Sequence, residues 1–154
     1  MSTPGDNDDP PEGFARMTKR AALEEIVGPF YERATADGAR QLGFRVTANK
    51  LNRMGVCHGG LLALFADLQG GPVKHLLGLE TDSPTVNLGI DFVAPVPAGA
   101  WVHSQPQLVR RTRGMLFFEA KFFADGELCA RISGIYRLKS QKRDDGAPPS
   151  PASA

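Results

Sequence analysis

The sequence predicts an α+β fold in which one buried helix is enclosed by an antiparallel sheet. Three observations carry that expectation. Residues 59–77 are apolar around most of a helical circumference, which marks a helix wrapped by other elements. Four alternating segments follow it with short connections. The punctuation between them is turn chemistry: Pro95, Pro97 and Gly99, then Asp125-Gly126. A single sheet covers only part of such a helix, so a second copy is expected to cover the rest and the protein is expected to be at least a dimer.

Taken in order, residues 14–27 (FARMTKRAALEEIV) have helical spacing, with Phe14, Met17, Leu23, Ile26 and Val27 near one face, and Gly28-Pro29 stops them. Residues 40–48 (RQLGFRVTA) read as a strand in which Leu42, Phe44 and Val46 alternate. A loop containing Gly55 leads into the long helix, and Gly70-Gly71-Pro72 is placed to bend or interrupt it. Strands are expected over 85–92, 101–111, 115–123 and 127–138, with Asp125-Gly126 a tight hairpin and residues 112–114 turning the preceding pair. Residues 1–12 are rich in Asp and Pro, and residues 140–154 in Pro, Ser and Ala. Neither can bury enough apolar surface to offset the entropy of ordering it, so both are expected as disordered tails around a domain at 13–139.

The chain has 154 residues, which suits one domain, and a net charge of +1, which gives no bias towards nucleic acid or anionic membranes. Cys57 and Cys129 form no CxxC and no disulfide framework; the first residues have no apolar core of a signal peptide; and no apolar run approaches the ~20 residues that span a bilayer. A cytoplasmic protein is expected. His58, His75 and His103 show no metal-ligand spacing, and no cofactor is called for.

The chemistry concentrates in residues 52–71, NRMGVCHGGLLALFADLQGG. Asp67 interrupts an apolar stretch, where an unpaired carboxylate is costly to bury. His58 and Asp67 lie nine residues apart, about 13 Å along a helix and on opposite faces, so within one chain they cannot act on one atom. Two helices packed antiparallel across a two-fold axis would bring the start of one to Asp67 of the other. Gly59 and Gly60 leave the first backbone N–H groups uncovered, a setting for an anion or a developing oxyanion. A carboxylate facing that setting can attack a carbonyl or deprotonate a water that does. A thiol, with a pKa near ~8.5, departs without strong acid help, so such a site suffices for a thioester and is thin for an amide.

The set Asn52, Gly55, His58-Gly59-Gly60 and Asp67, with a strand opening on Thr85-Val86-Asn87, resembles the hotdog-fold thioesterases of the phenylacetate-degradation type, over about residues 40–138. The resemblance implies an antiparallel sheet around one long central helix, dimers that pair into tetramers, and an acyl-CoA substrate. It also implies site roles. Asp67 is the catalytic carboxylate, as nucleophile or general base. The Gly59 N–H polarises the thioester carbonyl, Asn52 and His58 line that site, and Thr85 holds the attacking water.

Plainer readings stand beside these. Asp67 is also compatible with a solvated helix position, His58 with a helix cap, the glycine pair with tight packing, Asn52 with a loop turn, and Thr85 with strand propensity. A Cys57–His58 nucleophile lacks an orienting third group, and HGG as a hydrolase oxyanion loop would need a G-x-S-x-G elbow that the sequence lacks. Arg110, Arg111 and Arg113 beside the Gly114 turn are candidates for CoA phosphates, or an ordinary charged hairpin end. Phe30, Tyr31 and Leu64 are candidates for the acyl pocket without an assigned position. Two other functions share the fold: an acyl-CoA-binding module without catalysis, and a dehydratase of hydroxyacyl thioesters, which usually pairs a His with a carboxylate.

Overall fold

The computed structural model describes residues 7–139; the tail expected over 140–154 and the first six residues of the other tail lie outside them. Seven strands form one antiparallel sheet in the order β1-β2-β3-β5-β6-β7-β4. They are β1 (Ala15–Arg16), β2 (Tyr31–Ala34), β3 (Arg40–Arg45), β4 (Thr85–Phe92), β5 (Trp101–Arg111), β6 (Met115–Ala124) and β7 (Glu127–Arg137). The helices are α1 (Ala22–Val27), α2 (Gly59–Asp67) and α3 (Gly70–Leu76), with a 3₁₀ turn at Ala48–Lys50.

The sheet curls around α2. Phe65, at the middle of the inward face, has its ring 4.9 Å from that of Phe44, 4.7 Å from Phe122 and 5.7 Å from Phe30. Leu61, Leu62 and Ala66 are buried in the same core cluster, which also holds Val102, Ala130 and Ile132. A Phe65→Ala change empties the centre of this cluster, and such truncations cost about 3–5 kcal/mol. Phe30 is spent in this core, 1% exposed, so it lines no pocket. At the hairpin between β6 and β7, Asp125 and Gly126 have φ of 47° and 89°, the left-handed pair that a two-residue turn requires.

One expectation is corrected, and one strand is added. The helix expected over 14–27 is confined to residues 22–27. Phe14 packs edge-on to Trp101 at 5.0 Å, under the Arg33 guanidinium at 4.5 Å, and Ala15 and Arg16 pair with β2. Sheet contacts outcompete the local helical spacing there. Strand β2 was not foreseen, because Tyr31 is the only large apolar residue in YERA; its ladder to β3 holds it. The long helix is interrupted beside Gly70-Gly71-Pro72, as expected, with the break at Leu68-Gln69 just before the glycine pair. Residues 7–12 have neither helix nor strand but lie against the sheet: the Tyr31 hydroxyl donates to the Asp8 carbonyl (2.9 Å) and Arg45 to that of Asp9 (2.8 Å).

Candidate active site

The start of α2 is assembled by its approach loop. The Asn52 side-chain oxygen accepts from the N–H groups of Met54 (2.9 Å) and Val56 (3.3 Å), and Gly55 takes φ +76°, which closes the loop as a turn. The Cys57 N–H donates to Val96 C=O and the His58 N–H to Lys50 C=O, both at 2.8 Å, which clamps the entry to the helix. His58 is the N-cap, extended at φ −65°, ψ 128°.

A helix start has four N–H groups without partners in its own ladder. Here the His58 N–H goes to Lys50 C=O, the Gly60 N–H donates to His58 Nδ1 at 2.9 Å and that of Leu61 to His58 C=O at 2.9 Å, while the Leu62 N–H makes the first ladder bond to the same carbonyl at 3.2 Å. The Gly59 N–H is the one with no acceptor among the described residues. His58 Nδ1, as acceptor, carries no proton, so the neutral ring bears its proton on Nε2 and can donate outward. A Cβ on Gly59 would meet the Phe92 ring at 3.4 Å, and Phe92 is itself 58% exposed on β4.

At the other end of α2 stands Asp67, solvent-exposed. Thr85 Oγ1 donates to its Oδ1 at 2.6 Å, so the structure joins two residues that the sequence places 18 apart. The break after Asp67 leaves carbonyls without helical partners. The buried Gln69 side chain donates to Phe65 C=O at 2.8 Å, and the Tyr136 hydroxyl donates to Asp67 C=O. A Cβ on Gly70 would lie closer than 3.0 Å to the Tyr136 ring, so glycine lets that ring reach the break. Burial, and then the Asp67 carboxylate, push the Tyr136 phenol well above its ordinary pKa, which keeps it a donor. Asp67, Thr85 and Tyr136 line an open cleft of about 590 Å³ with Leu68, Gly71 and Lys74.

Asn52, His58 and Gly59 thus stand together at one end of α2, and Asp67 and Thr85 at the other, separated by nine residues of helix, or about 13 Å. Arg110, Arg111 and Arg113 are exposed. The ladder aligns Arg111, Leu116, Tyr136 and Thr85 across β5, β6, β7 and β4, so the basic turn lies at the Thr85 end of the sheet. Three strand spacings put Arg111 about 14 Å from Thr85. Arg113 also shares a cleft of about 490 Å³ with Arg137 and Lys139.

Tyr136, Gln69 and Arg137 are the site neighbours that sequence reasoning missed; alternation marks Tyr136 as inward-facing, but nothing marks what its hydroxyl reaches. Cys57 is 5% exposed, and burial pushes its thiol up to about 12 and that of Cys129 to about 11. Neither supplies thiolate near neutral pH. Among the described residues no group of three His, Cys, Asp or Glu is arranged to hold a metal ion, and no helix is long and apolar enough to cross a membrane.

Comparison with known proteins finds relatives of the same fold. The provisionally named esterase PA0474 of Pseudomonas aeruginosa is 28% identical over 132 residues, covering 83% of this chain and 96% of its own. The phenylacetic acid degradation protein PaaI of Thermus thermophilus, in a point-mutant form, superposes with a TM-score of 0.67 at 23% identity, over 77% of this chain and 100% of that one. The BH2602 protein of Bacillus halodurans, solved with CoA, superposes at 0.68 with 22% identity, over 81% of this chain and 83% of that one. The family model of the thioesterase superfamily matches residues 54–130, half of the 154 and the stretch that carries both ends of α2. The chain belongs to the thioesterase superfamily: it is a thioester hydrolase of the hotdog fold.

Proposed function

We propose that the protein hydrolyses an acyl-CoA to a carboxylic acid and free CoA, in a site that two copies build together. The observation that carries this is the single uncommitted Gly59 N–H at the start of α2, matched by an exposed Asp67, held by Thr85, at its end. One chain cannot bring the two to one carbonyl.

The strand order supplies a way for two chains to do so. Among the described residues β4 ends the sheet, with its outer edge unpaired and Val86, Phe92 and Val93 more than half exposed. Open edges of this kind invite pairing with another strand. A second copy added along β4 by a two-fold axis would set the two α2 helices antiparallel beside each other. Gly59 of each would then face Asp67 of its partner. Each site would hold Asn52, His58 and Gly59 from one protomer and Asp67 and Thr85 from the other. The resemblance extends this to a dimer of dimers.

In that site the thioester oxygen accepts the Gly59 N–H, and His58 Nε2–H borders it. Asp67 then acts in one of two ways. As a base it takes a proton from a water held by Thr85, and the hydroxide adds to the carbonyl carbon. As a nucleophile its own oxygen adds, and water later cleaves the anhydride. Either way the negative oxygen of the tetrahedral intermediate rests on the Gly59 amide, where such a donor contributes a factor of about 10²–10³. Collapse breaks the C–S bond, and CoA leaves as the thiolate.

Arg110, Arg111 and Arg113, joined by Arg137 and Lys139, would meet the CoA phosphates through charge-assisted contacts. The CoA bound to the Bacillus halodurans relative supports that substrate class. Two buried free thiols suit a reducing compartment such as the cytoplasm.

The test is release of free thiol from a panel of acyl-CoAs. Asp67→Asn should lower kcat by about 10²–10⁴ and leave KM within a few-fold. Full activity in the Asn variant overturns the mechanism.

A further inference from the structure

We infer that Tyr136 is a positioning residue for Asp67, an inference that rests on Asp67 carrying the catalysis. Asp67 is the last residue of α2, where the helical ladder stops holding the backbone. The Gly71 N–H goes to Leu68 C=O at 3.0 Å, and the Asp67 carbonyl instead takes the Tyr136 hydroxyl. The peptide after Asp67 is therefore oriented by a side chain of β7, 69 residues on.

Three features make that anchor rigid. The Tyr136 ring is fixed edge-on to Phe118 at 5.0 Å, within a cluster that includes Val73, Leu116 and Leu138. Gly70 offers no side chain to push it away, and the Lys74 ammonium lies 5.7 Å from its centroid on the helix side. Tyr136 is also paired directly with Thr85 across the β7–β4 ladder. One residue thus locates both things that hold Asp67: its main-chain carbonyl, through the hydroxyl, and its carboxylate, through the strand position of Thr85. A carboxylate on a frayed helix end would sample many rotamers; tied at carbonyl and Oδ1, it keeps one. Displacements near 1 Å at a reacting group cost up to about 100-fold in rate.

The phenol touches no reacting atom in this arrangement, so its loss should appear in kcat and not in substrate binding. Steady-state hydrolysis of an acyl-CoA that the wild-type protein turns over is the measurement, on the full chain. Tyr136→Phe keeps the ring and its packing and should lower kcat about 10- to 100-fold with KM within about twofold. In an Asp67→Asn background the same change should have no further effect, because the group it positions is gone. If Asp67→Asn retains wild-type turnover, the reading of Asp67 fails and takes this inference with it. If Asp67→Asn is inactive while Tyr136→Phe keeps full kcat, this inference alone is overturned. It is equally overturned if Tyr136→Phe raises KM as much as it lowers kcat, or if it further slows the Asp67→Asn protein. Should Tyr136→Phe fail to fold, 3,5-difluorotyrosine at position 136 keeps ring and hydroxyl but ionises more readily. It should move the alkaline fall of kcat to lower pH, and an unmoved profile overturns the inference.

Discussion

At the N-terminal end of α2 the backbone carries the chemistry, and at the C-terminal end side chains do. Four amides open the helix; the ring and carbonyl of His58 take those of Gly60 and Leu61, Lys50 C=O takes that of His58 itself, and that of Gly59 is left. At the far end the leftover carbonyls of Phe65 and Asp67 are capped by Gln69 and Tyr136, and the group on offer is the Asp67 carboxylate, steadied by Thr85. The difference concerns tolerance. An amide belongs to every residue except proline, so the first end tolerates a change of side chain. The second depends on particular atoms on side chains that come from α2, the helix break, β4 and β7.

The largest effect should therefore come from Asp67→Asn, the loss of about 10²–10⁴ in kcat already described. Its counterpart at the other end is Gly59→Pro. Proline suits the first helical position, and His58 already has the extended ψ of 128° that a residue before proline prefers. The substitution should remove the N–H with little else disturbed and lower kcat about 10²–10³. Gly59→Ala keeps the N–H and places its Cβ at an ordinary 3.4 Å from Phe92, so it should cost less than about tenfold. If Ala and Pro are equally damaging, the amide is not the donor. Co-expressing the Asp67→Asn and Gly59→Pro chains would join the two ends: mixed dimers hold one intact site of two, so about a quarter of wild-type activity should return. No recovery in dimers shown to be mixed would place both groups in one chain's site.

Smaller effects separate the supports. Thr85→Val removes a hydrogen bond to a carboxylate, and such bonds contribute about 1.5–3 kcal/mol. A loss of about tenfold in kcat is expected, measured beside a KM that stays put. His58→Ala removes the cap on Gly60 and should lower folding stability by about 1 kcal/mol in denaturant titration.

How much of this was legible in the sequence follows the same division. The strands from β4 onward and the buried α2 announce themselves through period and turn residues, because burial of a face forces a pattern. His58, Gly59 and Asp67 stand out because their chemistry is local to one segment. Tyr136 and Gln69 do not. Their work is to satisfy backbone groups at a helix break: Gly70-Gly71-Pro72 marks the break, but which distant side chain reaches its carbonyls is set only by the fold. The helix misread at residues 14–21 fails for a related reason: Phe14 and Met17 fit a helical face and also fit the contacts to Trp101 and the Phe30 carbonyl that claim them.

The last expectation sharpens what the N-terminal end is made of. Cys57 adjoins His58, and a thiol there invites a nucleophilic role, but burial raises its pKa from 9.0 to about 12. In the unfolded chain the thiol loses its proton near pH 9, while the folded chain keeps it. Between pH 9 and 12 the unfolded state therefore binds fewer protons, and stability falls as pH rises, by at most ~1.4 kcal/mol per pH unit from this group. Below pH 9 the contribution is complete. Thermal melts should show Tm dropping above pH 9 in the wild type and dropping less steeply in Cys57→Ala, whose turnover at pH 8 should stay within about twofold of wild type. A large loss of turnover in that variant, with its melting temperature kept, would transfer the chemistry of this end from the Gly59 amide to the thiol beside it.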